Sequence, residues 1–166
     1  PGGWPEVSDR SLLDTLETWL APFMAGMKRW SDLAGINLVQ ALSALLDYTQ
    51  QQQLDELAPR SLTIPTGQNV TLDYCAENGP VLAAKLQALF GWTETPKVAG
   101  GRVPVLIHLL SPAQRPLAVT ADLASFWQNA YPEVRKEMRG RYPKHEWPED
   151  PANAKPTRFT KNRQPK

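Results

Sequence analysis

Seven side chains close together near the C-terminus have the types and spacing that nucleic-acid binding requires. Five are cations and two are aromatic, and they lie within thirteen residues: Arg135, Lys136, Arg139, Arg141, Tyr142, Lys144 and Trp147. Cations neutralise phosphate groups, and aromatic rings stack on unpaired bases. A structural alternative uses the same residues, because the two rings could fasten the segment to the domain while the cations are merely solvated. The sequence leaves both interpretations open.

Two further side chains are candidates for anion binding. His145 lies among these cations, which favours contact with an anion over service as a base. Arg102 directly follows Gly100-Gly101, and a flexible turn that presents a guanidinium group suits a phosphate or a carboxylate. The simpler interpretation of Arg102 is an exposed turn residue with no functional partner.

Catalytic and metal-binding patterns are missing from the sequence. His108 and His145 are the only histidines, and neither belongs to a pair with metal-ligand spacing. His108 is expected to be a hydrogen-bonded core residue. The single cysteine, Cys75, excludes an internal disulfide and a cysteine-rich zinc site. The sequence contains neither the nucleophile elbow of a serine hydrolase nor a phosphate-binding P-loop. We therefore predict no catalytic, metal or cofactor site in this chain.

The charge of the chain is distributed unevenly. Residues 1–96 contain 5 Lys/Arg and 11 Asp/Glu, whereas residues 97–166 contain 13 Lys/Arg and 6 Asp/Glu. A basic second half suggests a polyanionic partner, and the alternative is that the acidic half packs against it. No apolar run approaches the roughly 20 residues that span a bilayer, so we expect no membrane partner and a cytoplasmic location. The sequence opens PGGWPEVSD, without an initiator Met, and is expected to be part of a longer protein.

The first sixty residues are predicted to be helical. Ser8 is placed to cap a helix over residues 8–20, and Ser31 to cap a second helical region over 31–58. Apolar residues recur at three- and four-residue spacing in both regions, which predicts one buried face on each. These stripes are Leu12, Leu16, Trp19, Leu20 and Phe23, then Val39, Leu42, Leu45 and Leu46. Pro59 ends the helical region.

Short strands are predicted beyond residue 60. Alternating apolar residues in 62–74 surround Pro65-Thr66-Gly67, which is the signal of a β-hairpin. Residues 103–110 are apolar on both faces and predict a buried strand, and residues 116–120 predict another. We expect all of these to combine into one small, mostly antiparallel sheet.

Two helices are predicted to flank this sheet. The segment GPVLAAKLQALFGW is predicted to form the first, from Pro80 to a C-terminal cap at Gly91. The second covers residues 121–139, capped by Thr120 and kinked at Tyr131-Pro132. Its apolar face is expected to pack on the sheet through Trp127, Tyr131, Val134 and Met138.

These elements predict an α+β fold in three parts. Residues 1–60 form a helical subdomain, residues 61–150 a small α+β domain, and residues 151–166 a basic tail. The prolines within RGRYPKHEWPEDP (139–151) favour an extended path after the last helix. From Lys155 onward the tail has five cations and no acid, which is typical of disorder, although it could instead lie along the domain.

Long stretches of the sequence resemble one known family. The segment GGRVPVLIHLLSPAQRPLAVTADLASFWQNAYPEVRKEMRGRYPKHEWPEDP (100–151) is similar to the C-terminal region of bacterial HrpB-type ATP-dependent helicases of the DEAH-box group. WLAPFMAGM (19–27) and LDELAPRSLTIPTG (54–67) resemble the segment that precedes it in the same proteins. The resemblance implies two RecA-like motor domains N-terminal to this region, which hold ATP and Mg²⁺. It carries no residue-level function into this region.

The resemblance and the residues together predict a non-catalytic accessory domain of an ATP-dependent RNA helicase. Its expected partners are the motor domains of the same chain and RNA, since a helicase works on a polyanion and a basic surface has an evident use there. The alternative is a scaffold that docks on the helicase core or on a partner protein without touching nucleic acid. The two differ in whether Tyr142 and Trp147 are free to stack or buried.

Overall fold

The computed structural model of the chain describes residues 3–163. The chain divides into two compact units, Pro1–Glu56 and Leu57–Lys166. The first unit contains helices alone, and the second contains every strand found among the described residues. Each unit is therefore built by a different kind of packing.

The first unit is a series of short helices. They are α1 Asp9–Asp14, α2 Leu16–Trp19, 3₁₀ turns at Ala21–Met24 and Trp30–Gly35, α3 Leu38–Ser43 and α4 Tyr48–Leu57, whose last residue belongs to the second unit. Ser8 caps α1 as predicted, because its hydroxyl accepts a hydrogen bond from the Ser11 N–H. The single helix predicted over 8–20 is wrong. It breaks at Thr15, whose Oγ1 donates to the Ser11 carbonyl at 2.7 Å and so competes with the helical ladder.

The long helical region predicted over 31–58 is also interrupted, and Ser31 is not its cap. The Asp32 carboxylate instead accepts hydrogen bonds from the backbone N–H groups of Lys28 and Arg29, both at 3.0 Å. Asn37 caps α3 by accepting from the Gln40 N–H at 3.1 Å. A reciprocal pair of side-chain hydrogen bonds caps α4. The Asp47 side chain accepts from the Gln50 N–H, and the Gln50 side chain accepts from the Asp47 N–H. Short polar residues inside the apolar period thus restart the helix three times.

The second unit contains three small groups of strands. They are β1 Ser61–Thr63 with β2 Asn69–Thr71, then β3 Val81–Lys85 with β6 Leu106–Leu110 and β7 Pro116–Thr120, and β4 Lys97–Val98 with β5 Val103–Pro104. The predicted hairpin is confirmed, with Leu62 opposite Val70 and Gly67 at a φ of +80° in the connecting turn. The predicted buried strand is the centre of the order β3-β6-β7.

The composition of the main sheet differs from the prediction. Residues 81–85 form a strand that runs parallel to β6, followed by a 3₁₀ turn at Leu86–Leu89, where a helix was predicted. A short, fully apolar run fits a buried strand as well as a buried helix, and periodicity cannot separate them. The β1–β2 hairpin forms its own ladder, and among the described residues its segment is paired with the sheet only by the bridge between Asp73 and Val81. The sheet is therefore mixed rather than mostly antiparallel, within an α+β fold.

The last helical segment lies against this sheet. It consists of α5 Leu123–Ser125, a π-helical turn Phe126–Ala130 and α6 Tyr131–Arg141, so the predicted irregularity before Pro132 is a π turn. Its cap is Asp122, which accepts from the Ser125 N–H at 2.9 Å, and not Thr120. Gly140 lies inside the last turn of α6, which ends at Arg141, two residues beyond the predicted end at 139.

An aromatic cluster joins this helix to the core, as predicted. The Trp127 and Tyr131 rings are buried and lie 5.6 Å apart, and each lies about as close to the Phe90 ring, at 6.0 and 6.2 Å. The Trp127 Nε1–H donates to the Trp92 carbonyl at 2.8 Å, which satisfies the only polar atom of the indole. Met138 is buried two turns further along α6, and Val134 packs against the same core.

Candidate nucleic-acid interface

The segment after α6 is fastened to the second unit as a strap. We call residues 142–151 the strap. The Trp147 ring is 7% exposed and its Nε1–H donates to the Tyr142 carbonyl at 3.0 Å. The buried Tyr131 hydroxyl donates to the Pro148 carbonyl at 2.8 Å, and the Gly91 N–H donates to the Pro151 carbonyl at 2.9 Å. Extended backbone without a helix or ladder partner thus finds its hydrogen bonds in side chains and loop ends.

Arg135 mainly supports the strap and is not a fully exposed surface cation. Its Nε–H donates to the Trp147 carbonyl at 2.8 Å, and its Nη2 lies 3.3 Å from the Glu149 carboxylate. The side chain is 24% exposed, whereas that of Glu149 is 88% exposed. Burial raises the pKa of the Tyr131 hydroxyl, and the nearby Arg135 charge opposes that rise. Donor groups of the Arg135 guanidinium are therefore already bonded within the fold.

The two aromatic candidates differ in what they can still contact. Trp147 lies in the core, so its ring is closed to a base, and for this residue the structural interpretation holds. Tyr142 is half-buried, with the Arg141 guanidinium carbon 6.0 Å from its ring centroid and the His145 ring 6.4 Å away at a nearly perpendicular angle. Only the exposed part of the Tyr142 ring is therefore accessible to a base.

Four cations remain exposed around the end of α6, and we call them the α6 cation surface. They are Lys136, Arg139, Arg141 and Lys144. None of them forms an ion pair with a carboxylate among residues 3–163. Glu137 precedes Arg141 by four residues and Glu133 precedes Lys136 by three, so each of these cations has an acid near it on the helix surface, whereas Arg139 has no acid three or four residues away. Arg139 and Arg141 also lie in the last helical turn, where the backbone dipole favours positive charge.

His145 and Arg102, the other two candidates, are placed differently. His145 is half-buried, and burial followed by the positive charge of Lys85 lowers the pKa of its imidazole. It is therefore mostly neutral at pH 7 and offers a hydrogen bond to an anion rather than a charge. Arg102 is exposed in the β4–β5 turn, far along the chain from α6, and its Nε–H donates to the Ala99 carbonyl at 2.8 Å. Ala99 has a φ of +54°, and this bond helps to hold that turn.

The tail contributes cations that motif reasoning placed outside the site. The Thr157 N–H donates to the Gln87 carbonyl and the Lys161 N–H to the Lys144 carbonyl, both at 2.9 Å. These bonds lay the tail along the second unit and bring Arg158 and Phe159 to its surface. The absence of acids after residue 154 was the available signal, but such composition is more typical of disorder.

Between residues 3 and 163, no group of three or more His, Cys, Asp and Glu side chains is arranged to hold a metal ion. None of the helices in that range is long and apolar enough to cross a membrane.

Comparison with known proteins places this chain in a family. The family model described as ATP-dependent helicase C-terminal (HrpB_C) matches residues 19–151. The chain belongs to this family. The ATP-dependent RNA helicase HrpB of Escherichia coli strain K12 is 52% identical over 158 residues, which cover 95% of this chain and 20% of the relative. The family resemblance read from the sequence is thus confirmed.

Solved structures agree with the sequence match. A crystal structure of the E. coli DExH-box NTPase HrpB is similar with a TM-score of 0.88 at 52% identity, over 96% of this chain and 20% of that one. A crystal structure of the E. coli DEAH/RHA helicase HrpB gives a TM-score of 0.71 at 48% identity, over 88% and 18%. The α+β class is confirmed by this likeness. The chain spans about one fifth of the length of the relatives it matches.

Proposed function

We propose that this chain is a non-catalytic accessory domain of an HrpB-type ATP-dependent RNA helicase and that it contacts RNA through the α6 cation surface. ATP and Mg²⁺ are held by motor domains elsewhere in the parent protein. The observation that supports the proposal is that one cation near the end of α6 bonds within the fold while the others remain exposed. Arg135 bonds to the strap, whereas Lys136, Arg139, Arg141 and Lys144 are exposed and form no ion pair with a carboxylate of residues 3–163.

The geometry favours phosphate contact over base recognition. Cations on a helix and on the extended segment after it present charge at several points, as a backbone-tracking surface does. The buried Trp147 removes one of the two stacking platforms, and Tyr142 is only half-exposed. Binding at this surface should therefore depend steeply on salt and weakly on sequence.

Two double variants with the same change of charge test the proposal. The α6 variant is Lys136→Ala/Arg139→Ala. The control is Arg60→Ala/Lys97→Ala, which removes two exposed cations of the second unit, one directly before β1 and one on β4. Fluorescence anisotropy of a labelled single-stranded RNA is measured at several salt concentrations. The α6 variant is expected to lower the slope of log K against log salt by about 1.4, at about 0.7 per contact. Equal slopes for the α6 variant and the control would contradict the proposal, as would no binding at low salt.

A second candidate function is docking on the motor domains of the same protein, and the first unit favours it. Large apolar side chains there are exposed, including Trp30 at 88%, Tyr48 at 74% and Leu13 at 68%. The relatives are about five times longer than this chain, so their remaining domains offer a covering surface. Titration of the separately expressed remainder of the helicase should detect binding without RNA. Trp30→Ser/Leu13→Ser should weaken it, whereas the α6 variant should not.

A further inference from the structure

A groove lies between the tip of the β1–β2 hairpin and the tail. It consists of two cavities of about 290 and 400 Å³ that share Thr157 and Arg158 as walls and so lie side by side. We call it the hairpin–tail groove. The side chains that can contact a ligand there are polar, charged or aromatic: Thr66, Gln68, Lys85, Lys155, Arg158 and Phe159. None of these residues lies on the α6 cation surface.

The walls of the groove are fixed by the fold. On the hairpin side, the Gln68 side-chain oxygen accepts a hydrogen bond from the Thr66 hydroxyl at 3.3 Å, and the Ile64 N–H donates to the Gln68 backbone carbonyl at 2.9 Å. On the tail side, the Thr157 N–H is held by the Gln87 carbonyl, and its Oγ1 accepts from the Phe159 N–H at 3.1 Å. A groove between two anchored backbones needs little ordering before it binds a ligand.

The groove is positively charged along its length. Lys85, Lys155 and Arg158 line it, and the lining residues include no Asp or Glu. The cations come from β3 and from the tail, which are seventy residues apart in the sequence, so their convergence is a product of the fold. The positive charge of Lys85 is also felt at His145, on the neighbouring strap. A ligand of this groove should therefore be an anion with several charges.

An exposed stacking surface lies beside these charges. Phe159 is 37% exposed, and the Arg158 guanidinium carbon lies 5.3 Å from its ring centroid. Aromatic rings and guanidinium planes are the surfaces on which unpaired bases stack. The amide side chains of Gln68 and Gln114 line the inner cavity and can donate or accept hydrogen bonds.

We propose that the hairpin–tail groove binds a single-stranded segment of RNA, with phosphates on Lys85, Lys155 and Arg158 and an unpaired base stacked on Phe159. The proposal rests on the proposed function, since it adds a strand type and a second contact to the same RNA. A single strand fits better than a duplex, whose bases are already stacked and whose backbone presents a broad convex surface. An acidic peptide would satisfy the charges but would leave the stacking surface unused.

The experiment compares three charge-matched double variants of the intact chain. The groove variant is Lys155→Ala/Arg158→Ala, and it is measured beside the α6 variant and the Arg60→Ala/Lys97→Ala control. The probes are a labelled fifteen-nucleotide oligouridine and a labelled duplex RNA of the same length. Phe159→Ala is measured with Phe159→Leu, which keeps an apolar side chain and removes the ring. Thermal unfolding followed by circular dichroism checks that each variant is folded, and Arg158→Gln replaces Arg158→Ala if the latter unfolds.

The groove variant is expected to weaken oligouridine binding and lower its salt slope by about 1.4, while duplex binding matches the control. Phe159→Ala and Phe159→Leu should both weaken oligouridine binding by about fivefold or more, because stacking contributes roughly 1–3 kcal/mol per base.

The other outcomes separate the groove from the wider function. If the groove and Phe159 variants bind oligouridine as the control does, while the α6 variant binds more weakly, the groove proposal is wrong and the proposed function stands. If no variant differs from the control, or the chain binds neither probe, both are wrong. Equal losses for oligouridine and duplex in the groove variant would overturn the assignment to single strands.

Discussion

The two units use the same residue types in opposite ways. In residues 57–163, Trp127 and Trp147 are buried at 4% and 7% exposure, within a core shared by the sheet, α6 and the strap. In residues 3–56, Trp30 is 88% exposed, and Ala41 is the only fully buried residue in that range. Apolar content alone therefore does not produce a core. A helix must be long enough, or must have a sheet opposite it, before its apolar side can be buried.

The largest difference between the two units is expected in their thermal unfolding when each is produced separately. Residues 57–166 should unfold cooperatively with heat, because sheet, helix and strap bury one continuous core. Residues 1–56 should show a broad, weak transition, since isolated helices shorter than about 12 residues are marginal in water. Circular dichroism at both far- and near-ultraviolet wavelengths measures this. A sharp near-ultraviolet transition in 1–56 would show that its helices form a core of their own.

A pair of tryptophan substitutions sharpens the comparison within the intact chain. Trp147→Ala should lower the free energy of unfolding by about 3–5 kcal/mol, because it opens a cavity in the core and removes one of the two donors to the Tyr142 carbonyl. Trp30→Ala should change it by less than about 0.5 kcal/mol, as exposed substitutions do. Urea titration followed by circular dichroism compares them. Similar losses for both would mean that exposure does not separate the two units.

The next largest effect is a difference in stability between variants of two adjacent cations. It distinguishes a residue that supports the fold from one that is available to contact RNA. Arg135→Ala should cost about 1–3 kcal/mol, because the buried Trp147 carbonyl loses its donor. Most of that loss comes from the carbonyl, since the pair with exposed Glu149 contributes at most about 1 kcal/mol. Lys136→Ala should leave stability unchanged within about 0.5 kcal/mol. The same titrations measure both, and a neutral Arg135→Ala would remove this residue from the strap.

The sequence predicted elements whose signals are local. The hairpin around Gly67, the central strand and the apolar face of α6 depend on turn residues and on short periods, and all three are confirmed. The helix predicted from Pro80 is wrong, because its pairing partner β6 lies 25 residues away and no local pattern announces a parallel pairing. The helices of the first unit were predicted too long because caps such as Asn37 restart them.

The candidate site was predicted less completely, for a related reason. Spacing identified the cations near α6 but could not tell Arg135, which the strap occupies, from exposed Lys136. Nor could it reveal that backbone bonds from Thr157 and Lys161 lay the tail beside the hairpin and the strap. Both distinctions depend on contacts between distant parts of the chain. The assignment of these residues to RNA remains a prediction.

The smallest effect is a pH dependence that belongs to the second unit. Burial, and then the charge of Lys85, lowers the folded-state pKa of His145 below its ordinary value of 6.5. As pH falls through 6.5 the unfolded chain takes up this proton first, so the folded state loses stability. The loss ends once the pH is below the folded-state pKa, and above 6.5 the contribution is fully present. In the first unit, hydrogen bonds from the Lys28 and Arg29 N–H groups lower the pKa of Asp32, so that carboxylate stays ionised over this range.

Urea titrations of the intact chain between pH 5 and 8 should therefore show stability falling below pH 6.5, and His145→Gln should flatten that part of the curve. An NMR titration of the imidazole proton provides the direct measurement, with His108→Gln used to assign the two histidine signals. The His145 midpoint should lie below 6.5 and should rise in Lys85→Ala, which removes the opposing charge. A midpoint at or above 6.5 would show that the strap leaves this ring fully solvated. The lysine of the groove would then lie too far from it to act.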